Sequence, residues 1–133
     1  MRMIFVNLPV RDLPSARRFY AALGFSINDA SSNERTAAVV LDDDVALMLR
    51  SRDRFAEQVA GDVGDPRTGT TVVHCLTVGS RDEVDGLVGK ALSAGGAPWL
   101  PVREDASGVT GSFADPDGHV WEIAWMEPVH VID

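Results

Sequence analysis

The sequence predicts an α+β fold made of two β-α-β-β-β modules, whose curved sheets pair around a cavity. Strand-length runs of β-rich residues, two amphipathic stripes each closed by glycine, and an internal repeat carry this expectation. In the repeat, Val10 matches Val78, Gly24 matches Gly95 or Gly96, and the acidic turn at residues 42–44 matches the turn at residues 115–118. Each offset is about 70 residues, so the whole chain reads as one domain of two similar halves.

The first module occupies about residues 1–50. Met3 to Val10 reads as a strand, and Asp12 caps a helix whose first turn tolerates Pro14, because an amide at that position has no partner within the helix. Leu13, Ala16, Phe19, Tyr20 and Leu23 recur at helical spacing, and Gly24 ends the helix. Phe25 to Asn28, Thr36 to Leu41 and Val45 to Arg50, separated by polar turns, then form an antiparallel meander.

Residues 51–70 form a linker, with a short helix expected around Phe55 to Val59. The second module spans about residues 71–127. Thr71 to Val78 is its first strand, and Ser80 with Glu83 has the spacing of a capping box. Val84, Leu87, Val88, Ala91 and Leu92 share a helical face, followed by strands at Trp99 to Val102, Gly108 to Ala114 and His119 to Met126.

Composition narrows the function classes. The 133 residues suffice for one buried core, and no run approaches the roughly 20 apolar residues that span a bilayer, so no membrane partner is expected. A formal charge of −8, without a basic cluster, argues against nucleic acid. The same acidity mildly repels anionic substrates at long range, although a single buried arginine can outweigh that locally, so charge alone leaves the ligand open. Polar residues interrupt the N-terminal run before a signal core forms, and Cys75 has no intramolecular partner; both agree with a cytoplasmic location.

The segment Asn7-Leu8-Pro9-Val10-Arg11-Asp12-Leu13, with Phe19-Tyr20 and Leu23-Gly24-Phe25, resembles the first module of the vicinal oxygen chelate superfamily of glyoxalases, bleomycin resistance proteins and extradiol dioxygenases. Phe113-Ala114-Asp115-Pro116-Asp117-Gly118-His119-Val120-Trp121-Glu122 is similar to its second-module signature. The resemblance implies a homodimer and a small-molecule ligand. In metal-using members it also implies donors on the first and last strands of each module, suited to Zn, Ni, Mn or Fe.

Carried onto this chain, those positions are Phe5, Met48, Val73 and Glu122. Only Glu122 bears a suitable donor, so no metal cofactor is expected. The alternative is a divalent metal held by His74 and Glu122, with Asn7 as a further candidate. Strand alternation sends His74 to the face opposite Val73, where it reads as a packed core residue unless a bulge re-aims it. Trp121 and Trp125 also lie opposite Glu122.

The expected cavity residues are Phe5, Asn7, Met48, Val73, Cys75, Val120, Glu122 and Ala124, a mainly apolar set with few polar groups. Glu122 is the candidate catalytic base, or else an arginine's partner. Cys75 is a candidate nucleophile, or else a small filler. His119 and His130 are expected at the surface, and residues 61–69 and 105–111 are candidate lids. No phosphate loop, Ser-His-Asp set or paired-cysteine zinc motif is present. Three readings follow: a metal-independent small-molecule binder, a glyoxalase-type lyase, isomerase or dioxygenase with unorthodox ligands, and an interaction domain without a cavity.

Overall fold

The computed structural model describes residues 1–127. The chain divides into two compact units, one ending at Asp65 and the other beginning at Pro66.

In the first unit, β1 (Ile4–Val10) leads into α1 (Leu13–Ala22), followed by β2 (Ser26–Asn28), a single 3-10 turn at Asp29–Ser31, β3 (Thr36–Asp42), β4 (Val45–Ser51) and α2 (Arg52–Ala56). The sheet order is β1-β4-β3-β2, with β1 parallel to β4 and the other pairs antiparallel. The Asp12 carboxylate accepts from the Ser15 amide at 3.0 Å and caps α1. Gly24, at φ +101°, closes the helix in a conformation disfavoured for residues with a Cβ.

Helix α1 buries Leu13, Ala16, Phe19 and Tyr20, with Leu23 just beyond its end, against the sheet face that carries Val39, Leu47 and Leu49. Burying each large apolar side chain contributes about 1.5–3 kcal/mol. The exposed pair Arg17–Asp29 is of a kind that contributes about 0–1 kcal/mol, so packing holds this layer together.

The second unit contains β5 (Val73–Thr77), α3 (Arg81–Ser93), β6 (Ala97–Pro98), β7 (Arg103–Asp105), β8 (Gly108–Ala114) and β9 (Val120–Met126). Its order is β5-β9-β8-β6, with β7 also pairing to β8 and β5 parallel to β9. Ser80 Oγ accepts from the Glu83 amide as expected, but Glu83 accepts from Gly79 N–H rather than from the capping residue itself. The capping box is thus offset by one residue.

Several expectations are corrected. Trp99 to Val102 is not a strand: Pro101 within it lacks an amide donor for a ladder. Instead, the hydroxyl of Ser112 accepts from Leu100 N–H at 3.0 Å. Pairing with β8 resumes on either side, at β6 and β7. The short linker helix is Arg52–Ala56 rather than Phe55 to Val59. Leu92, assigned to the buried face of α3, is 40% exposed, whereas Val84 and Ala91 are buried.

His119 is buried, not exposed. The turn folds back on itself: His119 N–H donates to the Asp115 carboxylate at 2.8 Å, and Asp115 N–H donates to the His119 carbonyl at 2.8 Å. Gly118, at φ +98°, makes that reversal possible. His130 lies outside the described residues.

Gly111 on β8 lets α3 approach closely, since a Cβ there would stand 2.9 Å from Val88 Cγ2 and 3.2 Å from Val84 Cγ1. Both neighbours are β-branched and stiff. Gly111→Ala should therefore destabilise the protein by about 1–3 kcal/mol, read as a lower urea midpoint at unchanged slope. An unchanged midpoint would contradict this packing.

Candidate functional site

Parallel pairing of β1 with β4 places Phe5 beside Ala46, Asn7 beside Met48 and Pro9 beside Arg50. Antiparallel pairing of β3 adds Val40, Ala38 and Thr36 to the same rows. Because side chains alternate, these residues share the sheet face opposite the one that carries Leu47 and Leu49. On this face lies a cavity of about 580 Å³, with Phe5, Asn7, Ala38, Met48, Arg50 and Gln58 among its walls. Phe5, Asn7 and Met48 thus line one cavity.

Arg50 is the cation of that cavity. Its Nε donates to Asn7 Oδ1 at 3.0 Å and its Nη1 to Thr36 Oγ1 at 2.8 Å. Gln58 Nε2 also reaches Asn7 Oδ1, at 3.5 Å. Both acceptors of Arg50 are neutral, and no carboxylate among the described residues pairs with it. The nearby acids are committed elsewhere: Asp53 and Glu57 to Arg35, and Glu57 also to Arg54. Burial, with Arg54 nearby, lowers the Arg50 pKa below its ordinary value.

The other expected residues lie on the second sheet. Val73, Cys75 and Thr77 align with Val120, Glu122 and Ala124, and with Ala114, Ser112 and Thr110 on β8. Val120 and Ala124 are buried, while Val73 and Cys75 are exposed. None of the five borders the first unit's cavity. A second cavity, of about 430 Å³, is walled by residues 66–70 with Trp99, Asp115 and Gly118, and none of the expected residues is among its walls.

Arg103 Nη2 donates to Glu122 Oε2 at 2.7 Å, so this carboxylate already holds a cation. Although the residue is exposed overall, partial desolvation of its sulfur raises the Cys75 thiol above its ordinary pKa, and the Glu122 charge adds to the effect. A raised thiol pKa works against nucleophilicity at neutral pH.

His74 pairs in register with Trp121, their rings 4.9 Å apart, whereas Glu122 sits beside Cys75. His74 and Glu122 therefore occupy opposite faces of the sheet. Among the described residues, no group of three or more His, Cys, Asp or Glu side chains is arranged to hold a metal ion. The donor set at the superfamily's positions, a phenyl ring, a thioether, an isopropyl group and one arginine-paired carboxylate, does not fit a divalent cation.

Arg50, Gln58 and Arg103 were not among the expected site residues. Arg50 was within reach of sequence reasoning, since it lies two residues beyond Met48 on one strand and must share its face. Gln58 and Arg103 owe their positions to α2 and β7, and no local pattern marked either contact.

The family model described as "Glyoxalase/Bleomycin resistance protein/Dioxygenase superfamily" matches residues 2–123. Among solved structures, a glyoxalase-related enzyme from Fulvimarina pelagi is 27% identical, with a TM-score of 0.81 over 100% of this chain and 93% of that one. A hypothetical protein, SA1046 from S. aureus, is 26% identical, with a TM-score of 0.80 over 94% of each chain. A superfamily enzyme from Burkholderia phytofirmans PsJN is 17% identical and shares the fold, with a TM-score of 0.78 over 96% of this chain and all of that one. Comparison with curated proteins gave no match. No helix among the described residues is long and apolar enough to cross a membrane.

Burial lowers the His74 pKa below its ordinary value, and His119 nearby lowers it further. The unfolded chain then binds more protons than the folded one between the folded pKa and about 6.5, so stability rises with pH across that window. Urea unfolding should show stability falling as pH drops below about 6.5, with His74→Gln flattening the slope. A His74 midpoint at or above 6.5 in NMR titration would contradict this assignment.

Proposed function

The chain belongs to the glyoxalase/bleomycin resistance protein/dioxygenase superfamily, and from that membership we propose that it binds a small organic molecule on the open face of the β1–β4 sheet, without a divalent metal. The observation that carries this reading is the cavity of about 580 Å³ whose walls include Phe5 and Met48, where metal-using members are expected to place donors. Its size is that of an ordinary small-molecule site, and its mixture of apolar walls with Asn7, Arg50 and Gln58 suits an organic ligand with a polar end.

A metal-dependent lyase, isomerase or dioxygenase with unorthodox ligands is the second reading. The Fulvimarina pelagi protein, described as a glyoxalase-related enzyme, favours it. Against it stand the opposed faces of His74 and Glu122 and the pairing of Glu122 with Arg103. On the binding reading, Glu122 positions Arg103 and takes no proton from a ligand.

A homodimer fits the same membership. Met3, Ile4 and Phe5 in the first unit, and Val72 and Val73 in the second, are large apolar side chains left exposed. Covering such side chains is the usual driving force of a stable subunit contact. A reducing, cytoplasmic place of action agrees with a single cysteine.

Elemental analysis of protein purified without chelator or added metal separates the first two readings. The binding reading predicts well under one metal ion per chain; a stoichiometric ion lost in Glu122→Ala would overturn it. A small-molecule thermal-shift screen should return ligands whose stabilisation disappears in Ala46→Trp, which fills the cavity wall. Sedimentation equilibrium should give the mass of two chains, and a monomer at high concentration would contradict the dimer.

A further inference from the structure

We propose that the ligand of the β1–β4 cavity is an organic anion, a monocarboxylate with an apolar body, and that Arg50 binds its carboxylate. The inference rests on the binding reading above and specifies the chemical class of the molecule bound.

The first ground is charge. A partly buried guanidinium has lost hydration, and a carboxylate partner offsets that loss. The more open Arg35, Arg81 and Arg103 each have one, in Glu57, Glu104 and Glu122, while Arg52 is held by the carbonyls of Val63 and Gly64. Arg50 has two neutral oxygens instead, and among the described residues no acid pairs with it. A second cation, Arg54, also acts on it.

The second ground is geometry. A guanidinium carries five N–H donors in a rigid planar fork. Thr36 and Asn7 engage Nη1 and Nε, which fixes the plane of the fork without neutralising it. Asn7 is itself held, its Nδ2 donating to the Phe5 carbonyl at 3.3 Å. The donors not used in these bonds remain available for the parallel pair of hydrogen bonds that a carboxylate accepts.

The third ground is the rest of the wall. Phe5, Ala38, Val40, Ala46 and Met48 supply an apolar floor on the same face as Arg50. Asp42 and Asp43 also border the cavity, at the hairpin end near Val45. At about 3.3 Å per residue that end is roughly 16 Å from Arg50 along β4, beyond the screening length of about 8 Å at physiological salt. The acids therefore leave the Arg50 end cationic.

The test uses the intact protein and a panel of monocarboxylates of about six to ten carbons, each beside its neutral primary amide, a size suited to a site of this class. Calorimetry should give at least one carboxylate that binds about tenfold or more tightly than its amide, as expected of a charge-assisted pair. In Arg50→Met that preference should vanish, while Arg50→Lys keeps part of it. Met at this position removes a desolvated charge, so the variant should fold; wild-type melting, raised by the carboxylate and not by the amide, reads the same preference without any variant.

Equal binding of acid and amide, or a preference that survives in Arg50→Met, would overturn the anion assignment and leave the binding reading intact. Binding of inorganic phosphate in place of every carboxylate would also overturn it. Failure of every acid and amide, together with every molecule of the wider screen, would remove both.

Discussion

In each unit the first strand lies parallel to the last, and this pairing decides which side chains meet. It is fixed by burial: Leu8, Val10, Leu47 and Leu49 are almost wholly inaccessible, and a slip of one residue would turn each to the opposite face. With about 1.5–3 kcal/mol at stake per large side chain, the register is strongly determined. The same constraint puts Asn7 beside Met48 and Arg50 within reach of both Asn7 and Thr36. In the second unit it puts Glu122 beside Cys75 and His74 beside Trp121.

Electrostatics then distinguishes the two sheets. On the second, Arg103 and Glu122 pair with each other, and the Cys75 thiol pKa is raised above its ordinary value. On the first, the guanidinium of Arg50 is oriented by neutral partners and keeps its charge. A chain with net charge −8 thus presents a local cation on a largely apolar sheet face. Composition averages over the surface and hides such a site.

The fold was legible because its signals are local and repeated. Asp12 and Ser80 cap their helices, Gly24 and Gly95 end them at positive φ, and β8 spans the expected Gly108 to Ala114. The misplaced elements depend on particular side-chain contacts, some local and some distant, that no periodicity marks. Beside Pro101, which cannot donate to a ladder, Leu100 N–H goes to the distant Ser112 hydroxyl, while His119 N–H goes to the Asp115 carboxylate four residues back. The opposed faces of His74 and Glu122 follow from alternation alone, whereas the Arg103–Glu122 pair needed the placement of β7. Arg50 shows a different limit: its face could be read from Met48, but the absence of an acid beside it exists only in three dimensions.

The most direct measurement is the cross-strand register, read from backbone and side-chain nuclear Overhauser contacts in the labelled protein. The account predicts contacts linking Asn7 with Met48, the Arg50 guanidinium with the Asn7 amide, and Cys75 with Glu122. Contacts joining His74 to Glu122, with Arg50 turned toward Phe19 and Tyr20 of α1, would contradict it.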